Sequence, residues 1–357
     1  MNELTYRFGR PAVKADLRTE NADFQVQEIL PFVPCGEGEH HLVHIRKSGL
    51  NTVQVAKMLA DFAKVHPKEV TFAGQKDKNA ITEQWFGIRI PGKITPLWHE
   101  LNSDDLTVLS STRHNKKLRI GALAGNRFAL TLRQVSDMEA LLSRVASVAA
   151  GVPNYFGEQR FGHDGRNLDN GRKMLAGRKV KDRNKRSMYL SAVRSNIFNQ
   201  VVSRRLAIHG VLPLAGDCVM LTGSRSFFVA EQWDDTLSQR LADRDIQLSA
   251  PLWGRGQLPA TGDAGDFELQ QIAAAGLQSD CDGLENAGLE QERRTLLLRP
   301  EGLKSTVIDN RTLLLEFMLP SGCFATSVLR ELCQYDDVQE RLYRERLAAE
   351  KAQQEIE

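Results

Sequence analysis

The stretch "TVIDNRTLLLEFMLP", residues 306–320, decides how the chain is divided. Apolar side chains alternate with others from Leu313 to Leu319 behind an Asp-Asn pair, which is typical of a strand that follows a turn. The middle of the chain, upstream of this stretch, has a different composition, with a long basic run and then an acidic region rich in glycine and alanine. The strand signal therefore resumes after an interruption. We predict one discontinuous domain, residues 1–154 and 301–357, and a second domain inserted at 155–300.

The first part of the chain alternates short strands with a few helices. Period-two patterns predict strands at 23–29, 41–47, 106–111 and 127–133, and helical spacing predicts a helix within 51–65. A capping box of Ser136 and Glu139 predicts the start of a second helix. Near the C-terminus, "SGCFATSVLREL" predicts a final helix that continues into the charged tail. The pattern lacks the regular strand and helix alternation of a doubly wound fold and indicates an α+β domain with a mixed or antiparallel sheet.

Bulk composition excludes several classes of protein. The 357 residues contain no apolar run near the roughly 20 residues of a membrane span, and the N-terminus has no apolar signal core, so we expect a cytoplasmic protein without membrane contact. The five cysteines form no C-x-x-C pair. His40, His41 and His44 cluster, but their spacing suits a strand and no acid or cysteine completes a ligand set, so we predict no metal site.

A basic run points to a polyanionic partner. Residues 172–186 contain eight basic side chains and one acid, although the net charge of the chain is only +2. Eight charges in so short a run exceed what solubility requires, so we predict contacts with nucleic acid phosphates. The candidate phosphate ligands are Arg178, Lys179, Lys181 and Arg183. The alternative is a solvated basic loop.

One acid stands out in "TFAGQKDKNAITEQW", residues 71–85, where Asp77 lies between Lys76 and Lys78. The chain has no phosphate-binding loop, no G-x-G-x-x-G after a strand and no G-x-S-x-G nucleophile elbow. A single carboxylate kept ionised by its positive neighbours is then the simplest catalytic candidate, as a nucleophile or a general base. The alternative is an ordinary surface loop with weak ion pairs.

Several phenylalanines lie in polar surroundings near predicted strand ends, and an enzyme that acts on a base must hold that base against such rings. The alternative for each ring is core packing, and composition does not decide between the two. The rings are Phe24, Phe128, Phe156, Phe161 and Phe324.

With these stretches in view, the sequence resembles the TruD family of transfer RNA pseudouridine synthases over nearly its whole length. The resemblance is carried, in the family's order, by "NADFQVQE", "GEGEHHLVHIRKSGLNT", "FAGQKDKNAITEQW", "GNRFALTLR", "VPNYFGEQRFG", "YLSAVRSNIFNQ" and "SGCFATSVLREL".

The resemblance implies an isomerase that converts uridine 13 in the D arm of transfer RNA to pseudouridine, with no metal and no organic cofactor. It implies that Asp77 is the nucleophile and that Phe24, Asn126, Phe128 and Phe324 line the uridine pocket. Arg18 stands where the family commonly has a lysine, and it keeps the charge without offering a compact amine that can lose its proton.

The implied fold is a pseudouridine-synthase core, α+β with a mixed sheet, interrupted by an α/β insertion domain. The implied partner is transfer RNA; no protein partner is implied, and we expect a monomer. Two other classes remain open from the residues alone: a non-catalytic RNA-binding protein that uses the basic run, and an enzyme for a small phosphorylated metabolite. The missing phosphate loop disfavours the latter.

Overall fold

The computed structural model describes residues 3–92 and 94–354, which form two compact units. The sheet unit comprises residues 11–149, 300–322 and 332–354 without residue 93, and the middle unit comprises residues 3–10, 150–299 and 323–331. The N-terminal residues join the middle unit because the Tyr155 hydroxyl donates to the Thr5 carbonyl at 3.0 Å and the Arg7 amide donates to Glu331 at 3.1 Å. Which unit is catalytic and which is inserted stays a prediction.

The strands of the described residues are numbered in chain order. They are β1 Lys14–Leu17, β2 Phe24–Ile29, β3 His40–Ser48, β4 Val70–Phe72, β5 Ile81–Arg89, β6 Leu106–His114, β7 Gly125–Leu132, β8 Val152–Pro153, β9 Asp217–Leu221, β10 Phe227–Ala230, β11 Ile246–Leu252, β12 Glu292–Thr295, β13 Leu297–Leu298, β14 Glu301–Asp309, β15 Thr312–Pro320 and β16 Gln334–Asp337.

The α-helices are numbered in the same way, and short 3-10 turns lie between some of the elements. The helices are α1 Thr52–Ala63, α2 Met138–Val148, α3 Arg166–Leu175, α4 Arg183–His209, α5 Asp235–Ala242, α6 Gly262–Ala274, α7 Gln278–Asn286, α8 Ala325–Leu332 and α9 Val338–Gln354.

The sheet unit is built on one mixed sheet with the strand order β14-β15-β7-β2-β5-β3-β6, and β4 also pairs with β5. The β2 and β5 strands are parallel and the other pairs in this sheet are antiparallel. Helix α1 packs on one sheet face around Val43, Ile45 and Leu59, all fully buried. A separate parallel pair joins β1 to β16, so that Leu17 lies opposite Asp337.

The middle unit holds a four-stranded antiparallel sheet with the order β10-β9-β11-β12, and a small pair of β13 and β8. Helix α4 is its central element, because it supplies Val193, Ile197, Phe198 and Val202, all fully buried, to the core of this unit. No helix among residues 3–92 and 94–354 combines the length and apolarity needed to cross a bilayer.

Two local predictions need correction, and the structure also shows where the basic run ends. The second helix is capped by Asp137, whose carboxylate accepts the Ala140 amide at 2.9 Å, while the Ser136 hydroxyl accepts the Lys14 amide instead. Helix α4 begins at Arg183 and so contains the end of the basic run, because Asp182 caps it there. The C-terminal region is not one helix: β16 separates α8 from α9, with its backbone paired to β1.

Candidate active site

The Asp77 loop lies between β4 and β5, and hydrogen bonds from its backbone to neighbouring side chains fix its shape. The Lys76 amide donates to the Thr52 hydroxyl at 2.9 Å, which in turn donates to the Gln84 side chain at 3.0 Å. The Gln84 amide group donates to the Gly74 carbonyl at 2.6 Å. Helix α1 and strand β5 thus hold the loop from two sides, so that the loop presents Asp77 from a rigid support.

Lys47 holds the backbone of Asp77 itself. Lys47 is 1% exposed, and its ammonium donates to the Leu50 carbonyl at 2.7 Å and to the Asp77 carbonyl at 3.0 Å. Burial lowers the pKa of Lys47 from 10.5 to about 8, and the negative charge of Asp77 opposes part of that fall. The two carbonyls give a buried cation hydrogen-bond partners, which an unpaired charge would lack.

The lowered pKa of Lys47 makes a pH prediction. Between about pH 8 and pH 10.5 the unfolded chain keeps a proton on Lys47 that the folded chain has lost, so the free energy of unfolding should rise with pH in that window. Below pH 8 the full penalty of the buried charge applies. Urea titrations at several pH values should show this rise for the native chain and lose it in Lys47→Met. A rise of equal size in both proteins would contradict the assignment to Lys47.

The sequence suggested that both flanking lysines keep Asp77 ionised. The structure gives Lys76 a different partner. The Lys76 ammonium pairs with Glu28 at 2.5 Å, and the Glu28 side chain is fully buried. Glu28 also accepts the Trp85 amide at 2.9 Å. Lys78 is exposed. The charge of Lys76 is therefore used to neutralise Glu28, and the Asp77 carboxylate meets a different cation.

That cation is Arg18. Its Nη2 atom donates to the Asp77 carboxylate at 2.8 Å, and its Nη1 atom donates to Asp337. The Cζ atom of the guanidinium lies 3.8 Å from the centre of the Phe24 ring. The Arg18 side chain is 8% exposed and the Asp77 side chain 40%. Arg18 also has a φ of +56°, a left-handed backbone that non-glycine residues adopt at some energetic expense. Asp77 is thus oriented by its pair with Arg18, and its side chain is still partly exposed.

The predicted aromatic residues of the sheet unit lie together beside this pair. Phe24 meets Phe128 edge to face at 6.4 Å, and Phe128 stacks on Phe317 at 5.4 Å. Phe24 and Phe128 are 4% and 7% exposed, so each ring also contributes to the core. Asn126 is two residues before Phe128 on β7 and therefore shares its face. Its Oδ1 atom is buried and accepts no hydrogen bond within residues 3–92 and 94–354.

The structure thus brings Asp77, Phe24, Phe128 and Asn126 into one unit, whereas Phe324 belongs to the middle unit. There the Phe324 ring meets Phe156 at 5.9 Å. The roles predicted for all five residues stay predictions.

The candidate phosphate ligands lie at the surface of the middle unit. Arg178, Lys179, Lys181 and Arg183 are all exposed, in the segment that joins α3 to α4 and in the first turn of α4. A different member of the basic run, Arg172, is engaged in an ion pair with Asp280 at 2.8 Å. The other exposed bases add positive charge to the N-terminal end of α4, where the helix dipole is also positive.

Sequence reasoning missed Lys47, Glu28 and Asp337. The apolar alternation of the strands could have indicated the first two. Lys47 follows Val43 and Ile45 on one face of β3, and Glu28 follows Phe24 and Val26 on one face of β2. A charged residue in such an alternation indicates a buried ion. Asp337 had none, because the strand "QYDD" has no apolar alternation.

Several known proteins are similar to this chain. The family profile described as tRNA pseudouridine synthase D (TruD) matches residues 1–181 and 166–332. The tRNA pseudouridine synthase D of Shewanella oneidensis is 69% identical, covering 98% of this chain and 94% of its own length, and that of Aeromonas salmonicida is 51% identical, covering 94% and 96%.

A solved structure from Methanosarcina mazei, described as a putative tRNA pseudouridine synthase D, has a TM-score of 0.70 at 23% identity and covers 92% of this chain and 95% of its own. This likeness confirms the predicted α+β fold class. The profile match and the curated relatives confirm the predicted resemblance. The chain belongs to the TruD family of tRNA pseudouridine synthases.

Proposed function

We propose that this chain converts uridine to pseudouridine in transfer RNA, at position 13 of the D arm, with Asp77 as the nucleophile. The observation that carries the proposal is the state of the Asp77 carboxylate: it is paired with Arg18 at 2.8 Å, the backbone of Asp77 is held by Lys47, and its side chain remains 40% exposed. Family membership supports the same activity.

The reaction requires few functional groups from the protein. The reaction breaks the bond from N1 to C1′, turns the uracil while it stays bound, and rejoins it through C5, so that no atom is gained or lost. It needs one ionised carboxylate, an enclosed site and an acceptor for the C5 proton. Asp77 can begin by attacking C1′, by removing a ribose proton to give a glycal, or by adding to C6 of the ring. Arg18 contributes by holding the carboxylate in place, since a guanidinium keeps its proton throughout.

The uridine pocket is proposed to use stacking and one specific hydrogen bond. Phe24, Phe128 and Phe324 offer rings, and base stacking on an aromatic side chain contributes on the order of 1–3 kcal/mol. The buried Oδ1 of Asn126 has an unused acceptor site, and the imide N3–H of uracil is a matching donor. Leaving a buried acceptor unpaired costs about 1–3 kcal/mol, so a base that fills it is favoured over one that cannot.

The exposed bases of the segment before α4 are proposed to attract the RNA backbone. Changing Arg178, Lys179, Lys181 and Arg183 to alanine should weaken transfer RNA binding and reduce the slope of log affinity against log salt by about one for each phosphate that is no longer neutralised. The single-turnover rate at saturating RNA should change little, since these side chains position the substrate. A filter-binding titration over a range of salt concentrations measures this. Lys57→Gln with Lys68→Gln, exposed lysines of the sheet unit, is the control. An unchanged slope in the fourfold variant would contradict the proposal.

The proposed activity is tested by incubating the protein with unmodified transfer RNA and mapping pseudouridine after carbodiimide treatment. We expect one new modified position in the D arm. Binding without any modification would favour a non-catalytic RNA-binding protein.

A further inference from the structure

Two arginines and two rings form a cluster inside the middle unit, and of these four residues the proposed function uses only Phe324. Arg160 lies on the short turn Glu158–Phe161, with its guanidinium 5.4 Å from the Phe156 ring and 5.7 Å from the Phe324 ring. The guanidinium of Arg294, on β12, lies 4.1 Å from the centre of the same Phe156 ring. Arg160, Phe156, Phe324 and Arg294 are called the arginine cluster below.

The cluster concentrates positive charge among half-buried side chains. Burial lowers the pKa of Arg160, and no other group contributes to the change. Burial also lowers the pKa of Arg294; Cys323 opposes this effect, and the positive charge of Arg160 adds to it. The two guanidiniums therefore repel each other in a poorly solvated environment, where like charges interact more strongly than in water.

Arg160 lacks the acid partner that the buried arginines Arg205 and Arg293 of this unit have. Arg205 pairs with Asp217 at 2.7 Å and Arg293 pairs with Glu268 at 2.6 Å. Across residues 3–92 and 94–354 no carboxylate pairs with Arg160, and its Nε atom is buried without a hydrogen-bond partner. A partly buried charge of this kind is expected to be satisfied by a ligand, because an uncompensated ion is costly to keep.

Helix α8, which contacts the start of this turn at Gly157, offers a further unused donor. The Thr326 hydroxyl is buried and has no hydrogen-bond partner in the described part of the chain. A Cβ at Gly157 would lie 2.6 Å from that hydroxyl and 3.2 Å from the Phe324 ring, so the turn packs closely against both and only glycine fits at this position. Guanidinium and hydroxyl donors match the acceptor oxygens of a phosphate group.

We propose that the arginine cluster binds a phosphodiester of the RNA chain, next to the base that Phe324 holds. This inference rests on the proposed function, since Phe324 is there assigned to the uridine pocket. Arg160 donates to the phosphate oxygens with its unused Nε, while its guanidinium stays next to the two rings. The bound phosphate supplies the negative charge that the protein itself does not place beside Arg160, and it offsets the repulsion between Arg160 and Arg294.

The test compares Arg160→Gln with Arg225→Gln, which removes an exposed arginine from the turn between β9 and β10 of the same unit. The first measurement is the melting temperature in sodium phosphate and in sodium chloride at equal ionic strength. Phosphate should raise the melting temperature of the native chain and of Arg225→Gln, and should raise that of Arg160→Gln much less. In chloride, Arg160→Gln should melt no lower than the native chain, because it loses a repulsive charge.

The second measurement is transfer RNA affinity as a function of salt. Arg160→Gln should bind about tenfold more weakly or worse, as expected when a hydrogen bond to a charged group is removed, and should reduce the salt slope by about one. Arg160→Lys should recover part of the affinity. Neither readout requires pseudouridine formation, so a failure of the proposed activity would be seen separately.

Two results would overturn the inference. A large fall of the Arg160→Gln melting temperature in chloride, with transfer RNA affinity unchanged, would make Arg160 a packing residue. Stabilisation by inorganic phosphate that Arg160→Gln abolishes, again with unchanged transfer RNA affinity, would make the cluster a site for a small anion only.

Discussion

Asp77→Asn should abolish pseudouridine formation while leaving the fold and transfer RNA affinity nearly intact. Asparagine keeps the size of the side chain and an oxygen that can still accept from Arg18, but it has no charge with which to attack C1′ or take a ribose proton. The ion pair that is removed is partly exposed, at 40% for the Asp77 side chain, so the free energy of unfolding should change by no more than about 1 kcal/mol.

The measurement is tritium release from 5-tritiated uridine in transfer RNA under single-turnover conditions, run beside a binding titration. Asp61→Asn, an exposed acid on α1, is the matched control and should behave as the native chain. Affinity should not fall in Asp77→Asn, because Arg18 and Lys47 remain and the site becomes more positive. Release at a rate near that of the native chain would refute the nucleophile assignment. Parallel loss of binding and release would favour a non-catalytic RNA-binding protein.

Glu28→Gln should strongly destabilise the sheet unit and should also slow the reaction. It leaves the Lys76 ammonium, whose side chain is 9% exposed, without its acid. Removing one partner of a buried ion pair lowers the free energy of unfolding by about 3–5 kcal/mol. Glutamine can still accept a hydrogen bond from the Trp85 amide, so the fall in the free energy of unfolding measures the loss of the ion pair with Lys76. Because Lys76 precedes Asp77 in the loop, its displacement should lower the rate at saturating RNA more than it changes affinity.

A double-mutant cycle with Lys76→Met separates this pair from the rest of the core. Lys76→Met should be destabilising alone, since it leaves Glu28 buried and unpaired. The double variant should lose much less free energy of unfolding than the sum of the losses in the two single variants. Urea unfolding followed by circular dichroism gives the four free energies. A coupling energy near zero would show that Lys76 and Glu28 do not stabilise each other.

The central strands were predictable because burial on a sheet face imposes a period of two on the sequence. The strand predicted at 127–133 overlaps Gly125–Leu132, and that at 23–29 matches Phe24–Ile29. Side-chain alternation says nothing about neighbours, so the parallel pairing of β2 with β5 within an otherwise antiparallel sheet could not be read from it.

The cation that pairs with Asp77 was not predictable from local sequence. Neighbours along the chain suggested Lys76 and Lys78, yet successive side chains in a loop point in different directions and Lys76 reaches Glu28. Arg18 and Asp337 come from distant parts of the chain, through the β1 and β16 pair. The residues next to a candidate catalytic acid in the sequence are therefore a weak guide to its ion-pair partner.

The position of β15 in the sheet has a consequence for synthesis on the ribosome. β15 lies between β14 and β7, and Arg18 meets Asp337 only when β16 has formed. A nascent chain that ends before residue 300 already contains Asp77 and Phe24, but β7 has an open edge with unpaired backbone groups. Such an edge is a template for aggregation, and its closure must await a strand that is encoded far along the sequence. Early-terminated products should therefore be inactive and prone to aggregate, and chaperones have most to protect in the interval before β15 emerges.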